Sequence, residues 1–303
     1  MRISVQTAGI TNRFGIDEGF RMIREAGFEA VDINLDLFLP YRQIVAGDVF
    51  GFFGQPDEDI LAACAPYKAA AKANGIGFTQ AHAPFPNRLR DEAVNAGVLN
   101  AVEKTIMMCG ELGVPRLVVH PGFFAYPEIV DDEWEWNRRM YTALIPALRE
   151  HGVVCCLENM FTMKGRKVLC GPCASPGEAN RWIDALNDIA GERLFGFCLD
   201  VGHAQLVGRD IYPFVLELRK NLTCLHIHDN DGEGDEHVFP YTGMMDWERF
   251  CMALRDAGYR GDLSFETFRS MEIYPPELGQ DALNLAGATA RYLRSRVFAG
   301  PTE

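Results

Sequence analysis

The stretch "CLHIHDNDGEGDEHVFPYTG" (Cys224–Gly243) begins as an apolar strand and ends as a cluster of titratable groups. Its twenty positions hold three histidines and five acidic residues. A buried strand that ends in His226, His228 and Asp229, with Asp235, Glu236 and His237 in the loop that follows, carries a large desolvation cost unless those groups meet partners. What the other strands carry at their ends therefore decides the fold.

Working outward, short runs rich in Val, Ile, Leu and Phe alternate with longer amphipathic segments. The strand candidates are "RISVQTAG" from Arg2, "AVDINL" from Ala30, "GFTQAHAPF" from Gly77 and "RLVVHPG" from Arg116. They continue with "VVCCLENM" from Val153, "FGFCLDVGHA" from Phe195, "LTCLHIHDND" from Leu222 and "DLSFETF" from Asp262. Helical stretches such as "DEGFRMIREAGF" and "SPGEANRWIDALNDIAG" lie between them, with start signals at Asp, Ser or Pro and glycine at the end. Eight strand–helix units predict an α/β fold, a (β/α)8 barrel with a single domain over residues 1–303. Nearly continuous apolar strands suit a parallel sheet covered by helices. The open doubly wound alternative lacks a Gly-rich dinucleotide turn after the first strand. The segments "DLFLPYRQIVAGDVFGFFGQ" and "FTMKGRKVLCGPCAS" are read as loops over the face that carries the chemistry in such a barrel.

Polar residues interrupt the C-terminal ends of these strands. They are His82 on the third, His120 on the fourth, Glu158 on the fifth, Asp200 and His203 on the sixth, His226 and His228 on the seventh and Glu266 on the eighth. Of seven histidines, all but His151 lie at a strand end or in the loop just after one. A single such histidine reads best as a hydrogen-bonded core residue, but the set converges on one point if the barrel closes. Three acids and several imidazoles aimed at one point repel and shift one another, and a divalent cation relieves the conflict. Mixed oxygen and nitrogen donors suit zinc, manganese or iron better than calcium. His226 and His228 are two apart and share one side of their strand, with His226 deeper. His226 is expected to be a ligand, and His228 to meet substrate or to brace a ligand. Asp235 and His237, an Asp-x-His in the loop, are open to three roles: a second ion, a substrate hydroxyl or the loop itself.

"LEN" (Leu157–Asn159), "LDVGHA" (Leu199–Ala204), "HIHDNDG" (His226–Gly232) and "FET" (Phe265–Thr267) resemble the strand-end motifs of the xylose-isomerase-like TIM barrels. That group includes sugar and keto-sugar isomerases and epimerases, inosose dehydratases and the family 2 apurinic endonucleases. The resemblance implies Glu158, Asp200, His226 and Glu266 as ligands of one divalent ion, zinc or manganese ahead of magnesium. It implies a sugar, sugar phosphate or keto-sugar isomerase or epimerase acting by proton transfer through a metal-stabilised enediolate. In this reading Glu158 and Glu266 exchange the proton and His203 holds a substrate oxygen. Lys164, Arg166 and Arg209, in loops on the same face, are candidates for an anionic substrate group, with ordinary solvated charges the equal alternative.

An inosose-type dehydratase is the near alternative. The endonuclease branch binds three zinc ions, and His82, His120, His203, Asp235 and His237 match its additional ligand positions. Two features separate that branch from this chain: "MFTMKGRKV" stands where it has a small-residue, Gly-containing run, and "DEH" stands where it has Asp-Arg-His. The keto-sugar epimerases carry a further Glu after the fifth-strand Glu and an Arg after the seventh-strand His. "NMFTMK" and "IHDNDGEGDE" contain neither, which leaves the substrate open.

The bulk properties agree with a small-molecule enzyme. A formal charge of −13 disfavours a nucleic-acid partner, because such affinity comes largely from Lys and Arg neutralising phosphates. No apolar run near the first residue is long enough for a signal peptide or a membrane span, so a cytoplasmic protein is expected. Most of the nine cysteines sit inside apolar stretches, as reduced thiols do. "CGPC" (Cys170–Cys173) has redox or zinc spacing but no second CxxC, and reads as a turn. Self-assembly into a homo-oligomer is left open.

Overall fold

Helix ends set the strand starts. Gly75 and Gly113 close their helices in the left-handed conformation (φ 61° and 72°), and each returns the chain to a strand within three residues. In the computed structural model, which describes residues 1–124 and 130–299, all eight expected strands form. They are β1 (Ile3–Gln6), β2 (Ala30–Asn34), β3 (Gly77–His82), β4 (Arg116–Val119) and β5 (Val154–Glu158). A hairpin of β6 (Phe161–Lys164) and β7 (Lys167–Cys170) intervenes before β8 (Phe195–Asp200), β9 (Leu222–His226) and β10 (Leu263–Phe265).

The eight barrel strands run parallel in the order β10-β1-β2-β3-β4-β5-β8-β9. Just past the end of β9, Ile227 closes the ring onto β10: its N–H donates to the Ser264 carbonyl at 2.8 Å, and its carbonyl accepts from the Glu266 N–H at 3.0 Å. Helices such as Glu92–Leu112, Val130–His151 and Gly279–Phe298 surround the barrel, so the chain is the expected (β/α)8 barrel.

Strand alternation separates two interiors. Residues facing the helices form one large apolar core that includes Phe20, Phe28, Phe195, Phe197 and Phe250. The lumen instead holds a small plug of Val118, Cys156, Cys198 and Cys224, and polar groups above it. Asp32 of β2 reaches His226 of β9 at 3.1 Å, a contact that joins strands three places apart around the ring and so lies within the barrel.

Both segments expected as loops lie at the C-terminal face, but both contain structure. Between Asp36 and Gln55 the chain forms a helix (Tyr41–Ala46) and two short 3-10 turns, pinned by Phe38 stacked on Phe52 at 4.4 Å. Between Phe161 and Ser175 it forms the antiparallel β6–β7 hairpin, which reverses at Gly165 (φ 61°).

Asp229 answers part of the opening question. It is completely buried, and it accepts from the backbone N–H groups of Asn230, Tyr241 and Met245 and from Trp247 Nε1 at 3.0–3.1 Å. This one carboxylate ties down the loop that presents Asp235 and His237. Removing it strands four donors, so Asp229→Ala should lower stability by about 3 kcal/mol or more in urea unfolding. A loss below about 1 kcal/mol would show that the loop is held by other contacts.

Candidate metal centre and substrate cavity

Four strand-end residues form the centre. Glu158 ends β5, Asp200 ends β8, His226 ends β9, and Glu266 directly follows β10. One donor atom from each lies within 4.8 Å of the others. His226 Nδ1 faces Glu266 Oε2 at 3.2 Å, Glu158 Oε2 at 3.4 Å and Asp200 Oδ2 at 4.0 Å.

Residues behind these four hold them in place. His226 Nε2 donates to Asp32 Oδ2 at 3.1 Å, the same oxygen that accepts from Gln80 Nε2 at 2.8 Å. That bond puts a proton on Nε2 and aims Nδ1 at the carboxylates, an arrangement that metal-ligating histidines share. Asp200 accepts from His228 Nε2 at 3.0 Å on both oxygens, and it also caps the helix Val201–Leu206 through the His203 N–H at 2.6 Å. His228 therefore braces a central carboxylate. Gly202 makes room for it, since a Cβ there would fall 2.0 Å from the His228 ring. Asn159 pairs with the Asp200 backbone in both directions, at 2.8 and 2.9 Å. Gln6 Nε2 donates to Glu266 Oε1 at 2.5 Å.

Two further groups flank the centre. His82 and His120 approach each other at 3.0 Å through their Nε2 atoms, and His120 Nε2 lies 3.2 Å from Glu158 Oε2. On the other side Asp235 Oδ2 accepts from His203 Nε2 at 3.2 Å and from His237 Nε2 at 2.9 Å. Each flank, the second with His228 included, offers donor atoms close enough together to hold an ion. All the expected histidines and carboxylates of the site are thus brought to one end of the barrel.

Charge balance shows what the centre demands. Burial favours neutral Glu158, yet the His226 and His120 imidazoles hold its carboxyl well below the usual range. Burial likewise opposes charge on His226, but Glu266 and Glu158 push its pKa well up. His237 follows the same logic: burial lowers it, while Glu266 and Asp235 raise it to about 9. Glu266 is raised, chiefly by burial. His82 is held neutral by burial and by His120, and its Nδ1–H donates to the Ala83 carbonyl at 2.8 Å. Protons on the histidines supply positive charge that the carboxylates require. A divalent cation supplies the same charge, and the donor set fits one: Glu158 Oε2 and His226 Nδ1 are fully buried, point at each other and have no hydrogen-bond partner.

Glu158 and Glu266 of the centre line a cavity of about 600 Å³, with Asp200 and His226 buried behind them. Its walls are aromatic, with Tyr41, Phe85, Phe123, Phe161 and Phe268 among them, and Arg88 is the one Arg or Lys that lines it among the described residues. Lys164 and Arg166 lie exposed at the tip of the β6–β7 hairpin, and Arg209 Nε donates to the Ala174 carbonyl at 2.9 Å. None of these three lines the cavity. Sequence reasoning missed Asp32, Gln6 and Arg88. The signal for Asp32 was present, as the one charged residue in the apolar run "AVDINL".

The sequence model of the family described as xylose isomerase-like TIM barrel matches residues 20–296. Among curated proteins, fructoselysine 3-epimerase of Shigella flexneri is 24% identical over 86% of this chain and 88% of its own length. Among solved structures, D-allulose 3-epimerase of Methylomonas sp., in complex with D-allulose, superposes with a TM-score of 0.71 at 18% identity, covering 98% of this chain and 97% of that one. The IolI protein, crystallised with a zinc atom, superposes with a TM-score of 0.71 at 18% identity and covers 98% of each chain.

The geometry behind His226 yields a test that needs no substrate. Asp32→Ala removes the acceptor that orients His226, and should weaken zinc binding by about 10–100-fold in competition against a chromophoric chelator. Unchanged affinity would mean that His226 is oriented without Asp32.

Proposed function

The chain belongs to the xylose isomerase-like TIM barrel family, and on that premise we propose that it is a divalent-metal-dependent isomerase or epimerase of a sugar or keto-sugar. The observation that carries this reading is the convergence of Glu158, Asp200, His226 and Glu266, of which Glu158 and Glu266 line an aromatic-walled cavity. The likeness to fructoselysine 3-epimerase over most of both chains supports the same class. A zinc or manganese ion held by these four residues would polarise the substrate carbonyl and offset the negative charge that develops on its oxygen.

This chain's residues supply the rest. Glu158 and Glu266 reach the floor from β5 and β10, which lie apart in the ring, so the reacting carbon sits between them. One carboxylate takes the proton from the carbon beside the carbonyl, and the other returns it. Gln6 holds Glu266 Oε1, which leaves Oε2 facing the centre. His203 lines the cavity beside Glu158, and its Nε2–H, held by Asp235 in the free protein, would turn to a substrate oxygen. Phe85, Phe161 and Phe268 present ring faces and edges suited to the apolar face of a sugar, and they exclude water from the proton transfer. The same proton removal, followed by loss of a neighbouring hydroxyl, would make the enzyme an inosose-type dehydratase.

One observation favours a second reading. The three adjoining groups around His120, His226 and His237 have the donor sets for three ions, as a zinc phosphodiesterase of the endonuclease branch requires. Against it stand the formal charge of −13 and a cavity lined by one Arg or Lys among the described residues, where a phosphate backbone calls for several. Metal analysis of protein purified without added ions separates the two. One ion per chain supports the isomerase, and three zinc ions support the phosphodiesterase.

The mechanism is tested at Glu266. Glu266→Gln keeps the size and one ligand oxygen but accepts no proton at neutral pH. With a competent substrate found by screening ketoses, their phosphates and inososes, this variant should retain bound metal. It should lose exchange of the carbon-bound proton with solvent deuterium by about 100-fold or more. Near wild-type exchange with metal bound would sink the two-glutamate mechanism and make His203 the candidate base.

A further inference from the structure

At the opposite end of the barrel, the chain gathers positive charge. A second cavity, of about 450 Å³, lies at the N-terminal ends of β4, β5 and β9 and beside the loop that enters β10. Four arginines line it: Arg116, Arg193, Arg219 and Arg260. They come from four separate places in the sequence and meet only through the fold. No Asp or Glu lines the cavity among the described residues.

This concentration is unusual for the chain. With 42 acidic and 29 basic residues, carboxylates are in excess, and several arginines elsewhere on the surface are paired with one. Arg21 pairs with Glu18, Arg138 with Glu135, Arg149 with Glu192, Arg249 with Asp210 and Arg296 with Glu248. None of the four cavity arginines is in an ion pair among the described residues. Asp262, close by in sequence, is already engaged by Arg2 and Thr79. Four like charges around one hollow repel one another unless an anion occupies it.

The four guanidinium groups are also pre-positioned, each against a backbone carbonyl. Arg116 Nη1 donates to Thr79 at 3.3 Å, Arg219 Nε to Leu216 at 3.1 Å and Arg260 Nη1 to Tyr259 at 3.2 Å, while Arg193 Nη2 donates to Lys220. Each contact uses one of five N–H donors and leaves the rest available. Arg219 holds φ 41° and ψ −110°, a strained backbone for a residue with a side chain, at the turn that delivers it to the cavity rim.

We propose that this cavity is a binding site for a compact, multiply charged phosphate compound of the oligophosphate class, separate from the metal centre. Guanidinium forks match phosphate oxygens in pairs, and four of them match the charge of a chain of two or three phosphates rather than one. A hollow of this size admits such a small molecule.

Isothermal titration of the full-length chain with inorganic tripolyphosphate at physiological salt tests the site. Saturable binding in the micromolar range is expected, with inorganic sulfate at least about tenfold weaker. Arg219→Ser and Arg260→Ser, both exposed positions, should each weaken binding by about tenfold. Arg149→Ser, which removes an arginine paired elsewhere, should leave it within about twofold, and circular dichroism should show all three variants folded. Absence of saturable binding would overturn the proposal. So would affinity unchanged in Arg219→Ser and Arg260→Ser, since that places the ligand on a metal ion at the other end of the barrel.

Discussion

The contact on which the strand-end cluster depends is His226 against three carboxylates in the lumen of the barrel. Charges in a low-dielectric interior are tolerated only in balance, and here each neighbour's state is set by the others. Asp32 orients His226 from one side, His228 donates to Asp200 from another, and Gln6 holds Glu266. Because these partners come from β1, β2, β8, β9 and β10, the site is complete only when the ring closes. Closure is local, through the two hydrogen bonds of Ile227, the residue between His226 and His228. The stretch that supplies the central histidine thus also supplies the last link of the barrel.

This coupling explains why so much was legible in the sequence. A polar residue at the C-terminal end of an apolar strand has few physical explanations, and its recurrence once per strand–helix unit leaves convergence as the best one. All eight strands and the strand-end set that contains the four central residues follow from that pattern, while the family resemblance is what singles out the four. Asp32 did not follow, because it sits mid-strand and its role appears only when β2 faces β9 across the lumen. The hairpin after β5 was also missed: its burial is slight and its register depends on the turn at Gly165 rather than on an apolar face. That same hairpin carries Lys164 and Arg166 outward at its tip, which sequence spacing could not reveal. Arg88, by contrast, reaches the cavity from a segment with no regular structure.

The flanking groups show how one donor pattern can serve different chemistry. His82 with His120, and Asp235 with His203 and His237, occupy positions that could each hold an ion, yet in this chain they also form complete hydrogen-bonded pairs. Imidazoles aimed into a cavity can equally grip hydroxyl groups. What differs between a sugar enzyme and a phosphodiesterase is then the wall above the donors. Here the wall is aromatic, with acidic Asp36 and Glu272 at its edge. Burial raises the pKa of Asp36 to about 6.

The floor beneath the centre makes the same argument from below. Cys198 lies close enough to Glu158 and His226 to compete as a ligand. A thiolate there would add another negative charge to an interior already rich in carboxylates, and would draw soft ions into the site. Burial prevents this by pushing the thiols of Cys156, Cys198 and Cys224 well above their ordinary range, so that all three remain neutral. As neutral groups they are small enough to fill the narrow lumen with Val118 and polarisable enough to sit under charge. A dry, uncharged floor leaves the carboxylates to face only the histidines and the cavity.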